Sequence, residues 1–573
     1  MKYRLIGENN IFEEPIEQIL RNRGITNVDG FLNPSEEDVI HYSKLKNIDK
    51  AVKCLLNHLG KNSEIVVIVD SDPDGFTSAA LLINYIKKVF KKDIKYVLPK
   101  RKEHGIILKK VPNEVDLLIV PDAGSGDFKE HEKLKEAGID CIILDHHEVK
   151  EESRNAIVVN SQLSPHYSNK MLSGVGIVYK FCKALDAELE IEHADTYLDL
   201  VSIGNIADMM QMDNLETRYY AFQGLKKIKN KLLKALFKEQ EYSTNGEKTI
   251  GTVAFYIVPL INAAIRVGSQ EEKDQLFRAL LNSDEKIPYK KRGTDKVIME
   301  HIAKNTARLL KNLKAKQDRQ RDKGVVEIEK RIADKNLLAN KVLIVVVTDI
   351  LDKSLTGLVA NQLSRKHERP IMLLRRNKTD KKKLSGSARG YERSGIEDFK
   401  SFLEQHGELI AQGHPNAFGV KVEVSNLIEL NNKLNTVLTS LPAKEFELNV
   451  DFIQKEETLK PSFIAEIHDY RHCWGGGVDE PLIAFENFTF DKKDILILGK
   501  TKKTTLKFKH KSGVEFIMWK QSEDRYNELF SEDGNYTITL VGKCSVNDYR
   551  GNKTPQVIVK DFKVVDVEQE LPF

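Results

Sequence analysis

Residues 64–82 read EIVVIVDSDPDGFTSAALL, and this stretch decides the fold. A β-rich apolar run, EIVVIV, is followed at once by Asp70, Asp72 and Asp74 and then by a segment of helical period. Gly75 allows a tight turn between the two. Strand, acidic turn and helix in this order are typical of one unit of a parallel sheet covered by helices.

The same alternation continues for about 80 residues. Further β-rich runs are IKYVLP, VDLLIVPD and DCIILD, with the helical segments SAALLINYIKKVFKK and KEHEKLKEAG between them. The predicted fold class is therefore α/β. A second α/β lobe is predicted to begin at KVLIVVVTD, after a long charged helix, and strand-like pieces near the end of the chain indicate a small β-barrel of the OB type.

Acidic residues stand where the predicted parallel strands end. Because the carboxyl ends of parallel strands meet at one edge of a sheet, we expect these side chains to converge there. Carboxylates this close repel one another unless a hard divalent cation neutralises them, and imidazole with carboxylate suits Mn²⁺ better than Mg²⁺ alone. Taken alone, an acidic turn is equally typical of a solvated loop without a metal. Taken alone, a pair of adjacent histidines is also typical of a protein surface. The residues in question are Asp70, Asp72, Asp74, Asp122, Asp145, His146, His147 and, at the end of an apolar helix, Asp208.

Composition bounds the remaining possibilities. A chain of 573 residues is too long for one core, and 41% hydrophobic with 30% charged residues excludes disordered, collagen-like and coiled-coil proteins. The net charge of +4 decides nothing about partners. The five cysteines lack a C-x-x-C spacing, which argues against a zinc knuckle and fits a reducing cytoplasm. We expect no signal peptide, no membrane-spanning run and a cytoplasmic location.

Six lysines, with Phe508 interleaved, stand in GKTKKTTLKFKHKSG, within the predicted barrel. Such a pattern favours contact with the phosphates and bases of a single strand, although a lysine run is also typical of a plain solvated face. The predicted nucleic-acid-binding residues are Lys502, Lys503, Lys507, Phe508 and Lys509.

Taken in order, these motifs resemble the DHH phosphoesterase superfamily and, within it, the RecJ exonucleases. The likeness also includes RNRGITNVDGFLNPS, LSGVGIVYK, SIGNIADMM, SGSARG, QGHPNAFG and WGGGVDEPLIAFE. The resemblance implies two-metal hydrolysis of single-stranded DNA, with 5′ to 3′ polarity. The domains it implies are an N-terminal helical cap (1–60), a DHH phosphoesterase domain (61–290), a connecting helix (291–340), a DHH-associated substrate-binding domain (341–455) and an OB-fold nucleic-acid-binding domain (456–573).

The resemblance also assigns roles to single residues. Two Mn²⁺ or Mg²⁺ ions would be held by Asp72, Asp74, Asp122, His146 and Asp208, with Asp70 as a further candidate ligand. His147 would donate to the scissile phosphate, and Asp145 would fix its imidazole. Leu260 replaces an arginine usual in the family. The implied substrate-binding residues are Arg101, Arg266, Ser387, Arg389, Gly413 and His414.

Two other functions compete with this interpretation. One is a phosphodiesterase of the same superfamily that acts on oligoribonucleotides or cyclic dinucleotides. The other is a non-catalytic replication scaffold, whose relatives normally lose several of the acids retained here. The final EQELPF resembles the acidic tip of bacterial single-strand-binding proteins, which makes such a protein, or another replication or repair protein, a candidate partner; a frayed end is the competing interpretation.

Overall fold

The computed structural model describes residues 1–10, 13–100, 103–291, 293–377, 380–440, 447–499, 504–549 and 551–568. The chain divides into two compact units. The first comprises Met1–Ile265, Gln270–Arg308 and Glu447–Phe573, and the second comprises Arg266–Ser269 and Leu309–Phe446.

The N-terminal segment is mostly helical, as its sequence predicts, but it opens with a strand that the prediction omits. Its elements are β1 (Lys2–Leu5), α1 (Pro15–Asn22), α2 (Val28–Leu32) and α3 (Ile48–Gly60). Proline at the first helical position starts α1, and α3 turns its apolar side, including Ala51 and Leu55, to the interior.

A five-stranded parallel sheet forms the centre of the first unit. Its elements are β2 (Ile65–Ile68), α4 (Pro73–Phe90), β3 (Lys95–Val97), β4 (Leu117–Pro121), α5 (Phe128–Glu136), β5 (Asp140–Asp145), β6 (Ile157–Asn160), α6 (Gly174–Glu188) and α7 (Leu198–Ala207). The strand order is β3-β2-β4-β5-β6, so the order reverses between β2 and β4. In open α/β sheets such a reversal leaves a crevice at the carboxyl ends of the strands, which is where ligands bind.

More helices and a hairpin follow before the chain leaves this unit. They are α8 (Leu215–Lys226), α9 (Lys231–Thr244), α10 (Ile250–Thr252), a π-helical turn (Val253–Ile257), α11 (Val258–Val267), α12 (Gln270–Leu280), the hairpin strands β7 (Lys286–Lys290) and β8 (Val297–His301), and α13 (Ile302–Asp334). The predicted long charged helix is observed at α13, with 33 residues. It begins at Ile302 and not near residue 291, because Val297–His301 pairs with β7 as a strand.

One helical run, Ile250–Val267, is long and apolar enough to cross a membrane by length and composition, with a mean hydropathy of 1.7. The expectation that no run reaches this length and composition is therefore wrong. A buried core helix passes the same test, and 56% of this run is buried.

The second unit contains a mixed five-stranded sheet in the order β12-β13-β11-β10-β9. A Cβ on Gly386 would lie 1.9 Å from the Leu373 carbonyl oxygen, so close pairing of its strand requires glycine there. Phe399, Leu403 and Phe418 fill the core beneath the sheet. The elements are β9 (Leu343–Val346), α14 (Thr356–His367), β10 (Ile371–Arg376), β11 (Lys383–Arg389), α15 (Phe399–His406), β12 (Leu409–His414), β13 (Ala417–Glu423) and α16 (Leu427–Ser440).

The C-terminal part of the first unit is a seven-stranded sheet in the order β15-β16-β20-β21-β19-β18-β17. In the residues that the structure describes, the edge strands β15 and β17 do not pair, which is consistent with the partly open barrel of the predicted OB type. β1 pairs in parallel with β14. The elements are β14 (Glu447–Val450), β15 (Phe452–Lys455), α17 (Pro461–Asp469), β16 (Ile483–Asp491), β17 (Ile495–Leu498), β18 (Thr504–Lys509), β19 (Glu515–Gln521), α18 (Glu523–Leu529), β20 (Asn535–Tyr549) and β21 (Asn552–Glu568).

Arg218 joins three parts of the first unit. Its side chain is fully buried, donates to the Cys473 carbonyl at 2.9 Å and to the Phe31 carbonyl, and lies 3.5 Å from the Phe31 ring centroid. These contacts fix α8 against both the N-terminal segment and the C-terminal part of the unit.

Candidate metal centre

The first acids are delivered by the turn from β2 into α4. Asp72 is the N-cap of α4 and accepts a hydrogen bond from the Gly75 amide at 2.9 Å. A Cβ on Gly75 would lie 2.6 Å from the Cβ of Asp70, so glycine is needed for the turn to pass that close. Asp74, in the first turn of α4, accepts from the amides of Gly174 at 2.7 Å and Val175 at 3.1 Å. The N-terminus of α6 therefore holds this carboxylate in place.

Asp122 and His146 form the middle of the cluster. Asp122 follows β4 with a left-handed φ of 64°, which turns its side chain into the crevice. His146 Nε2 lies 3.3 Å from Asp122 Oδ1, 3.5 Å from Asp208 Oδ2 and 3.9 Å from Asp74 Oδ2. Neither oxygen of Asp122 nor Nε2 of His146 has a hydrogen-bond partner within the described part of the chain, although all three atoms are buried. These three buried atoms are therefore available as ligands for a cation.

The cluster is electrostatically strained without a cation. Burial, and next the charge of Asp208, raise the pKa of Asp74 to about 7. Burial and the charge of Asp72 raise the pKa of Asp208 to about 6. Burial and then Asp74 raise the pKa of Asp122 well above its ordinary range, whereas burial lowers the pKa of His146 and keeps its imidazole neutral. Neutral imidazole and crowded carboxylates are the state from which a divalent cation is bound most readily.

Asp145 and His147 form a separate pair beside these residues. Asp145 accepts from the amides of Ser125 and His146 at 3.0 and 2.7 Å, and from His147 Nδ1 at 2.8 Å. Burial alone would raise the pKa of Asp145, but the hydrogen bond from His147 and the other partners outweigh burial and lower that pKa. The same bond raises the pKa of His147 to about 9. His147 is thus a cation at neutral pH, with 58% of its side chain exposed toward solvent.

The ligand atoms fall into overlapping groups, within each of which all atoms lie within 4.8 Å of one another. One group is Asp74, His146 and Asp208, and a second is Asp70, Asp72 and Asp122. A further group joins Asp122 and His146 to Asp145 and His147. The structure therefore brings all eight predicted residues together and offers two adjacent positions for cations, with Asp70 among the candidate ligands of one of them.

His104 is a site residue that the sequence analysis missed. Its Nδ1 lies 2.9 Å from Asp70 Oδ2, and this hydrogen bond raises the pKa of His104. The Gly105 amide also donates to Asp70, at 3.2 Å. The sequence shows an imidazole shortly after the second β-rich run, IKYVLP, but nothing in it pairs His104 with Asp70, which is 34 residues away.

The predicted substrate-binding residues of the second unit gather at one end of its sheet. β13 lies between β11 and β12. Arg389 of β11 and His414 of β12 both pair with Ala417 of β13, and Gly413 pairs with Phe418. The Ser387 hydroxyl lies 2.9 Å from that of Thr356. Burial, followed by the charge of Arg266, lowers the pKa of Arg389. Arg101 lies outside the described residues.

The lysine-rich segment is corrected in part. Phe508 is fully buried against Phe490, Phe530 and Phe562, so it cannot stack on a base as predicted. Lys507 points outward but lies 2.6 Å from Glu515, which neutralises its charge. Lys509 is exposed, and Lys502 and Lys503 lie outside the described residues.

Trp519 is an exposed aromatic side chain on this face. It is 57% exposed and stands opposite Thr505 on the outward side of β18, the side that also carries Lys509.

Comparison with known proteins agrees with this architecture. Residues 64–205 match the DHH family, N-terminal domain, and residues 450–561 match the RecJ OB domain. The chain is 50% identical over 100% of its length to the SPbeta prophage-derived single-strand DNA-specific exonuclease YorK of Bacillus subtilis strain 168, and covers 99% of that protein. It is 26% identical to the single-stranded-DNA-specific exonuclease RecJ of the same organism, over 96% of this chain and 68% of that one.

Among solved structures, RecJ from Thermus thermophilus in complex with Mn²⁺ superposes with a TM-score of 0.72. The superposition covers 97% of this chain and 76% of that one, at 20% sequence identity. The likeness shows that the two chains share their fold.

Proposed function

Because the chain belongs to the RecJ exonucleases of the DHH family, we propose that it hydrolyses phosphodiester bonds of single-stranded DNA as a metal-dependent exonuclease. The observation that carries this function is the buried cluster around Asp122 and His146, in which both Asp122 oxygens and His146 Nε2 lack a hydrogen-bond partner in the described chain. The relative of 50% identity is named for the same activity.

The residues present fit two divalent cations, Mn²⁺ or Mg²⁺. Carboxylate oxygens are the ligands that both ions prefer, and a single imidazole favours Mn²⁺. When bound, such ions supply Lewis acidity toward a water and a phosphate oxygen. The residues that would hold them are Asp72, Asp74, Asp122, His146 and Asp208, with Asp70 beside them.

His147 and Asp145 act on the substrate without holding the ions. The cationic imidazole of His147 donates a hydrogen bond to the scissile phosphate, where negative charge grows as the bond breaks. Asp145 accepts from Nδ1 and so directs Nε2 of His147 away from itself. The hydrogen bond from His147 and the other partners keep Asp145 ionised, and the amides of Ser125 and His146 fix its position.

Single-strand binding is assigned to two surfaces. On the second unit, Ser387, Arg389 and His414 offer donors to phosphate at the sheet end that they share. On the C-terminal sheet, Trp519 offers a stacking face and Lys509 a charge for the backbone. Both surfaces read shape and charge rather than sequence.

The direction of digestion, 5′ to 3′, is proposed from the family resemblance. Digestion of a long single strand labelled at one end or the other, with Mn²⁺, Mg²⁺ or a chelator, tests metal need, strand preference and direction together. We expect release of the 5′ label first, loss of activity with chelator, and little digestion of a duplex. Digestion that persists in chelator would overturn the proposed function.

The two competing functions give different results. An oligonucleotide phosphodiesterase would turn over a dinucleotide faster than a long 5′-phosphorylated strand. A non-catalytic scaffold would bind the strand and leave it intact with either metal. A preparation of Asp74→Asn, which removes one charge from the cluster, controls for contaminating nuclease.

We further propose a reducing, cytoplasmic location and a protein partner for the C-terminus. All five cysteines are free thiols, which supports the location. The partner proposal rests on the likeness of EQELPF to acidic tips that dock on other proteins, and most of this segment lies outside the described residues. Deletion of Leu571, Pro572 and Phe573 should weaken binding of a replication or repair protein if the proposal is right.

A further inference from the structure

A second group of metal-ligand side chains lies at the opposite edge of the parallel sheet. Cys54 and His58 belong to α3, and Asp140 is the first residue of β5. One ligand atom from each of the three lies within 4.8 Å of the others. β5 runs from Asp140 to Asp145, so this group is about 16 Å from the DHH cluster at the far end of the strand.

The spacing of the three side chains would fit an open zinc site. Residues four apart on a helix share one face, which places the Cys54 thiol beside the His58 ring. His58 Nε2 lies 3.0 Å from Asp140 Oδ2. Two such ligands of a tetrahedral Zn²⁺ are about 3.3 Å apart, so little movement is needed to admit the ion.

His58 and Asp140 differ in their exposure to solvent. His58 is 8% exposed and its Nδ1 has no hydrogen-bond partner in the described chain, whereas the Asp140 side chain is 50% exposed. The imidazole is thus buried, while the half-exposed carboxylate leaves a path for an ion and room for a water as fourth ligand.

We propose that Cys54, His58 and Asp140 form a Zn²⁺ site that ties α3 to the start of β5. A thiolate with an imidazole and one carboxylate selects a borderline-soft ion such as Zn²⁺. The sulfur-free DHH cluster selects Mn²⁺ or Mg²⁺. Binding replaces the thiol proton with the metal and releases that proton to solvent. Burial, with the charge of Asp140, raises the pKa of the Cys54 thiol to about 11, so the metal-free site keeps its proton at neutral pH.

Cobalt distinguishes this site from the other one. The full-length protein is stripped with chelator under reductant and titrated with Co²⁺, and thiolate-to-cobalt charge-transfer absorption is recorded in the near ultraviolet. We expect the band in the wild-type protein and its loss when Zn²⁺ is added. The band should also survive Asp74→Asn, because the DHH cluster contains no sulfur.

Two variants and one control locate the ligands. Cys54→Ser should abolish the band, and Asp140→Asn should raise the Co²⁺ concentration for half-saturation by about tenfold. Cys544→Ala, a buried thiol in the C-terminal sheet, should leave the band unchanged. Asp140→Asn serves as the folding-safe test, since its side chain is half exposed, and circular dichroism checks each variant. No band in the wild-type protein, a band that persists in Cys54→Ser, or unchanged affinity in Asp140→Asn would overturn the proposal.

Discussion

Asp122 shows at the residue scale how the metal centre depends on a cation. The side chain is 1% exposed, and neither of its oxygens has a hydrogen-bond partner in the described chain. Its pKa is raised first by burial and next by Asp74. The metal-free protein therefore carries an ionisable group in a place where its charge is destabilising, which is the condition expected of a ligand rather than of a structural acid.

Replacement of Asp122 by asparagine should separate activity from stability. The change removes a ligand and also removes buried negative charge, so nuclease activity should fall at least about 10³-fold. In chelator, the Tm should rise by about 1–3 °C. End-labelled digestion and thermal unfolding measure the two effects. Asp93→Asn, which changes an exposed acid, is the control, and a variant with full activity and a lowered Tm would contradict the assignment.

His147 should contribute to the rate more than to metal binding. With its pKa at about 9, it is a cation at neutral pH, as the proposed hydrogen bond to the scissile phosphate requires. His147→Gln should lower kcat by about 10²–10³-fold and leave KM nearly unchanged. Mn²⁺ affinity should also be retained. His166→Gln, at an exposed histidine, is the matched control; a large rise in KM with unchanged kcat would argue for a binding role instead.

At the scale of single elements, the neighbouring strands β18 and β19 each carry one aromatic side chain with a different role. One is buried in the core and the other is exposed to solvent. Phe508 points inward, and Trp519 of β19 lies on the outward face. Trp519→Ala should weaken single-strand binding by about 1–3 kcal/mol with little change in stability. Phe508→Ala should instead cost about 3–5 kcal/mol of stability. Fluorescence anisotropy measures single-strand binding, and denaturant unfolding measures stability. If both variants lost binding equally and kept full stability, the assignment of separate roles to the two aromatics would be contradicted.

The same elements show what the sequence can predict. The acids at the ends of β2, β4 and β5 could be placed together because parallel strands share the direction of their carboxyl ends. The alternation of β18 could have shown Phe508 to be buried, since Leu506 two residues earlier is an inward apolar position. His104 could not be paired with Asp70, because it lies in a loop whose path depends on tertiary packing.

At the scale of the whole molecule, metal binding should stabilise the fold more strongly as pH rises. The pKa values of Asp74 and Asp208 are raised from 3.8 to about 7 and about 6, so the metal-free folded state holds more protons than the unfolded state in this window. The contribution of these two carboxyls to the stability of the metal-free protein therefore falls as pH rises between about 4 and 7. A bound cation takes the place of those protons and restores the lost stability.

The increase in Tm on adding Mn²⁺ should accordingly be larger at about pH 8 than at about pH 5.5. Thermal unfolding with and without Mn²⁺ measures the difference. Asp122→Asn should reduce it, and Asp93→Asn should leave it unchanged. A Mn²⁺ effect that is the same at both pH values would contradict the raised pKa values.

The most direct test of the account is a count of bound Mn²⁺ by electron paramagnetic resonance, in the full-length protein after removal of other metals. The account predicts about two tightly bound ions per wild-type chain, with spin coupling between them, and loss of at least one in Asp122→Asn. A wild-type protein that binds no Mn²⁺, or an Asp122→Asn variant that binds the same two coupled ions, would contradict it.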